Sequence, residues 1–247
     1  MEFNLSRIKF LLQVDYALHK IKVMYAFILL LIVLIAGLAF AHLSLTHKAG
    51  VISIWMVSFV TALLLGGSIL TVLVNRDFRN HESAIHSLGL PASHLEKLTV
   101  RLLYTLPVFI ISLWLIFYIV ISSYEMLFQD GFNVEELSIL SMLKNRMMFY
   151  FICLYLILHS IFFMASLFFK KFPFPKTIII VTILFFSFCF IIALVKYLSV
   201  SGQNIVDIFP QTIWQIMVFI GDNIPWFLML VPIGWVISFF LLKKKQV

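Results

Sequence analysis

Six long apolar runs divide the chain: residues 23–41, 51–74, 102–124, 147–169, 177–195 and 224–242, none of which contains Asp, Glu, Lys or Arg. Each is 19 to 24 residues long, and a helix needs roughly 20 mostly apolar residues to cross a bilayer. A membrane strand would alternate apolar with polar positions over about 10 residues, and these runs do not alternate. The pattern predicts an all-α polytopic membrane protein, with a six-helix transmembrane domain over 23–247. Ala39-Phe40-Ala41 has the form of a signal-peptidase site. The apolar core before it outruns the 7–15 residues of a signal peptide, so the run is read as a span.

The segments between the runs carry their own patterns. Over 1–22, Ser6, Lys9, Gln13, Tyr16 and Lys20 fall on one stripe at helical spacing, with Ile8, Leu11, Leu12 and Leu18 filling much of the rest. A basic amphipathic helix of this kind is expected along the membrane interface. Residues 75–101 hold two helix signals. The first helix ends at Gly89, Pro91 fixes a turn, and Ser93 with Glu96 three residues on forms a capping box for a second helix. That second helix runs directly into the third span. The stretch 199–223 is apolar on one face but interrupted by Pro210, and reads as short helices dipping into the membrane before the sixth span. Glu125, Asp130, Glu135 and Glu136 match no metal-binding spacing and read as a solvated loop.

Composition and charge sharpen this picture. Apolar residues make up 63% and charged residues 12%, against roughly 45–50% and about 25% in ordinary globular domains. So little charge cannot coat a water-facing surface, which excludes a soluble enzyme and a nucleic-acid-binding domain. The net charge of +7 is instead a topology signal. With both termini on one side, 14 of the 18 Lys and Arg residues share that side, and only Lys48, Lys144, Arg146 and Lys196 lie opposite. Basic residues resist translocation, so both termini are expected in the cytoplasm. Cys153 and Cys189 lie inside apolar runs and read as buried hydrophobes.

No ATP-binding or hydrolase motif occurs: the chain has no G-x-x-x-x-G-K-[ST], no H-E-x-x-H and no G-x-S-x-G. His159 is the only titratable imidazole deep in a span, which makes it a functional candidate by default. A histidine hydrogen-bonded between helices is its plainer reading. Gly66-Gly67-Ser68 offers a small-residue patch for close helix packing, within the chain or between copies.

These parts together resemble a permease subunit of the ABC-2 type, the type V exporters. The residues that carry the resemblance are Glu82, Leu88, Leu90-Pro91-Ala92-Ser93 and Glu96-Lys97 in the 75–101 loop, although Ser83-Ala84 stands where the family usually has Gly-Thr. The resemblance implies that 1–22 is a connecting helix, 75–101 a cytoplasmic coupling loop and 199–223 an outer re-entrant segment. Arg79, Glu82, Leu88, Leu90, Pro91, Ser93 and Glu96 would then form the surface that docks a separate cytoplasmic ABC ATPase subunit. ATP and Mg would bind that partner, and no cofactor this chain. It further implies a second permease subunit, identical or not, a place in the inner (plasma) membrane, and transport of a lipid, peptide or other amphipathic substrate. Two other classes stay open: an intramembrane protease or lipid transferase, for which His159 is the only ionisable group on offer, and a non-transporting scaffold or sensor.

Overall fold

The computed structural model describes residues 5–44, 56–78, 93–128, 146–199, 212–213, 215–216, 218–219 and 223–244. Every regular element among them is helical. Helix α1 is Leu5–Ser44. Helix α2 is Met56–Val74 and tightens into a 3-10 turn at Asn75–Phe78. Helix α3 begins as His94–Leu103, widens through a π turn at Tyr104–Val108 and continues as Phe109–Phe128. Helices α4 and α5 are Arg146–Phe168 and Pro173–Ser199. Ile224–Phe227 forms the short α6, and Leu230–Lys244 forms α7. Among the described residues, four stretches, Met56–Val74, His94–Ser123, Met148–Phe168 and Pro173–Val195, are long and apolar enough to cross a membrane.

Three features depart in detail from the plain reading of six separate runs. The amphipathic stretch and the first apolar run are one unbroken helix of 40 residues. Lys20-Ile21-Lys22-Val23-Met24 holds no Gly, Pro or capping residue, so nothing ends the helix between them. At 1.5 Å per residue, α1 is about 60 Å long, about twice the hydrocarbon thickness of a bilayer. The last apolar run, by contrast, is broken at Leu228 and Met229, between α6 and α7. Pro232 has no N–H to give the Leu228 carbonyl. That carbonyl takes the Val231 N–H instead, at 3.1 Å, and the Trp226 carbonyl takes that of Met229, also at 3.1 Å. The third departure is a π turn in each of two helices: Ala62–Gly66 in α2, and Tyr104–Val108 in α3, which forms around Pro107.

The core lies where α1, α2, α3 and α4 meet. Phe59, Leu63, Leu113, Phe117 and Tyr155 are among its fully buried members, and Phe59 packs on Trp114 and Phe117 at ring-centroid distances of 4.7 and 4.8 Å. Helix α7 closes on α4 at Gly234, where an added Cβ would collide with the Ser160 hydroxyl. That hydroxyl donates to the Val231 carbonyl at 3.1 Å. Phe172, with φ 51°, turns the chain out of α4, and Pro173 opens α5, the position where a missing N–H costs nothing.

Candidate functional site

The polar groups of this apolar bundle concentrate along one face of α3 and the ends of α2 and α4 beside it. Lys97, Arg101 and Thr105 recur every four residues, so they stack on one side of the helix, and all three are buried. The stripe begins at the Ser93 cap. The Ser93 hydroxyl accepts the Glu96 N–H at 3.2 Å, and the Glu96 carboxylate accepts the Ser93 N–H at 2.7 Å, which completes the capping box. Glu96 is itself fully buried, and neither it nor Lys97 nor Arg101 lacks a partner.

Arg101 ties α3 to α2. Its guanidinium donates to the carbonyl of Val74, the last residue of α2, where a helix end leaves carbonyls without internal partners. A cation at that end also meets the negative pole of the helix dipole. One residue on, Asn75 ties α2 to α4 by donating to the Ser166 hydroxyl at 2.8 Å, and that hydroxyl donates to the Phe163 carbonyl at 2.6 Å. An apolar cluster of Leu98, Phe163, Leu167 and Leu242 binds the same ends of α3, α4 and α7 together. Ile8 and Leu11 of α1 pack on Val100 of α3, so the amphipathic part of α1 joins the same end. Exposed Lys9, Arg76, Lys170, Lys171, Lys243 and Lys244 surround it; it is the basic end of the bundle.

Deeper in, His159 of α4 meets α3. Its Nε2 lies 2.8 Å from the Thr105 hydroxyl, which is also 2.8 Å from the Arg101 carbonyl. The hydroxyl has one proton, and the carbonyl can only accept. Thr105 therefore donates to Arg101 and accepts from His159, which places the imidazole proton on Nε2. Nδ1 is then a bare acceptor, and it has no partner among the described residues. One helical turn away, Tyr155 donates to the Thr105 carbonyl inside the π turn at 2.7 Å. Gly67 makes room for this joint: an added Cβ there would lie 2.8 Å from Tyr155 Cζ and 2.9 Å from Phe109 Cε1. The small-residue patch thus serves packing within the chain at Gly67.

A hydroxyl beside an imidazole has the outline of an activated nucleophile. Here the hydroxyl proton is committed to a backbone carbonyl, and both side chains are fully buried, so no substrate reaches them in this conformation. Among the described residues no three His, Cys, Asp or Glu side chains gather as metal ligands. The cluster bonds three helices, α2, α3 and α4, to one another.

Of the residues singled out from the sequence, Ser93 and Glu96 open this polar stripe and His159 closes it. Arg79, Glu82, Leu88, Leu90 and Pro91 lie outside the described residues. Arg101, Thr105, Asn75, Tyr155 and Ser166 were not singled out, although the four-residue spacing of Lys97, Arg101 and Thr105 leading into an apolar run is a legible signal. Comparison with protein-family models, with curated proteins and with solved structures finds no match.

Proposed function

We propose that this chain is the membrane subunit of an ABC-2-type transporter, which moves a lipid, peptide or other amphipathic substrate while a separate subunit binds ATP and Mg and hydrolyses the nucleotide. The observation that carries the reading is how the two stems of segment 79–92 are anchored. One stem, Asn75–Phe78, is tied to α4 through Asn75 and Ser166. The other starts at the Ser93 capping box and is tied to α2 through Arg101 and Val74. A partner pulling on the segment between them would load α2, α3 and α4 together, because each stem is bonded to a helix other than its own. That is the mechanical requirement for a coupling element. The unbroken α1, packed on Val100 of α3, supplies a second lever at the same end. On this reading the basic end is cytoplasmic, and two permease subunits pair to form the pathway.

The test is Glu82→Arg in the full chain, expressed with the ATPase subunit of its host. The reversed charge removes one attractive contact and adds a repulsive one, and breaking a desolvated pair costs roughly 2–5 kcal/mol. ATPase co-purification and substrate-stimulated hydrolysis are expected to fall at least tenfold, with insertion unchanged. Wild-type levels of both in a folded protein would remove this segment as the docking site.

A further inference from the structure

Between α1 and α2 lies a cavity of about 440 Å³. Tyr25, Leu30 and Val33 line it from α1, and Gly66, Ile69 and Leu73 from α2, with Phe109 of α3 alongside. The two helices run antiparallel: Gly66 lies beside Leu30 and Gly37 beside Ser58. The slot therefore runs parallel to the two helices, with Tyr25 and Leu73 at the basic end of the bundle. From Thr61 to Leu73 of α2 it is about 18 Å long at 1.5 Å per residue. Tyr25, Val33 and Leu65 are exposed at its mouth, so the slot opens sideways, toward the acyl chains of the membrane.

An apolar cavity of this kind stays dry, and an empty one forfeits the dispersion contacts of its walls. A cavity of about 150 Å³ takes one benzene. At the same volume per carbon, this one takes roughly 17 carbons, the size of a single acyl chain. The basic end supplies the matching charge. Arg76 is exposed one turn beyond Leu73, at positions that share a helix face. Exposed Lys20 on α1 lies at the same end. The rim residue Tyr25 has the apolar body and polar tip suited to the membrane–water boundary.

We propose that this slot holds one acyl chain of an anionic phospholipid from the leaflet at the basic end, with the phosphate against Arg76. The lipid fills the joint between α1 and α2 as a resident component of the fold. This holds whether or not the chain is a transporter subunit.

The test uses the full chain in nanodiscs of equal phosphatidylglycerol and phosphatidylcholine, followed by native mass spectrometry in mild detergent. Wild-type protein is expected to keep one phosphatidylglycerol per chain in preference to phosphatidylcholine. Arg76→Gln should reduce that preference about fivefold, the factor one interfacial cation supplies, with total occupancy largely kept. Val33→Trp fills the slot from an exposed position and should bring both lipids to background. Leu65→Trp at the opposite rim serves the same purpose should Val33→Trp fold poorly. Equal retention of the two lipids by wild-type protein, or retention unchanged in both tryptophan variants, would overturn the proposal. A disulfide between two copies through Val33→Cys would overturn it as well, since a second chain would then cover the slot.

Discussion

Helix α5 is the most apolar of the four helices that, among the described residues, are long and apolar enough to cross a membrane, yet it is the least packed of them. Only 11% of the 18-residue apolar window within Pro173–Val195 is buried, against 44–50% for the corresponding windows of α2, α3 and α4. In water the most hydrophobic helix would go to the centre. In a bilayer, lipid tails are as apolar as Leu, so apolarity inserts a helix without drawing it to its neighbours. Close packing comes from small residues and from polar groups that need a partner. The α2–α3–α4 joint has both: Gly67 under Tyr155, and the Arg101, Thr105, His159, Asn75 and Ser166 bonds. Helix α5 has less of both at depth: Cys189 and Ala193 are its buried small residues, and the hydroxyl-bearing Thr182 and Ser187 are exposed. Its Thr177 hydroxyl is satisfied within its own first turn by the Pro173 carbonyl at 2.7 Å, and Ile183, Leu184, Phe186, Phe188 and Ile191 face outward.

This contrast is broken most directly by cutting one aromatic from each region. Tyr155 is fully buried and Phe188 is 56% exposed. Tyr155→Ala is expected to cost about 3–5 kcal/mol, as for other large buried aromatics, and Phe188→Ala to stay within about 0.5 kcal/mol. Unfolding of the full chain in detergent, followed by steric trapping, measures both. Similar losses at the two sites would mean that α5 is held as tightly as the joint. Gly67→Ala tests the same region by addition rather than removal. The new methyl meets ring atoms of Tyr155 and Phe109, and overpacking of this kind costs about 1–3 kcal/mol. A neutral result would show that the Tyr155 ring can retreat.

The existence of membrane helices was legible because it depends only on length and apolarity, and four such helices stand among the described residues. The start of α3 was legible too, because a capping box is a local pattern of Ser93 and Glu96 that needs no tertiary information. The break at Leu228 was not anticipated, although Pro232 was visible, because a proline inside a membrane helix is often tolerated. Continuity of α1 through Lys20–Met24 was hidden by the change of pattern there: a shift from amphipathic to wholly apolar marks a change of surroundings, and the backbone need not respond. For the joint, His159 stood out by type. Its partner could not be read from sequence, because the bond to Thr105 depends on how α3 and α4 face each other across 54 positions of chain.

The smallest effect is the most informative about the joint, because it separates the His159–Thr105 bond from the ring packing around it. His159 lies against Tyr155 and Phe163 at centroid distances of 5.9 and 5.7 Å, so His159→Leu alone mixes lost packing with a lost hydrogen bond. A double-mutant cycle with Thr105→Val isolates the bond, and interhelical hydrogen bonds in membranes average about 0.6 kcal/mol, with a maximum of about 1.7. The proton assignment adds a direction. Thr105 donates to the Arg101 carbonyl whether or not His159 is present, so His159→Leu leaves that bond intact. Thr105→Val removes both bonds at once and strands the His159 N–H. The valine change should therefore cost more than the leucine change, with a coupling of about 0.6 kcal/mol, and Thr182→Val on the exposed face of α5 should cost nothing measurable. A larger loss for His159→Leu would mean that its ring packing against Tyr155 and Phe163 outweighs the bond. A coupling of zero would mean that rings and glycine, rather than this bond, hold α3 against α4.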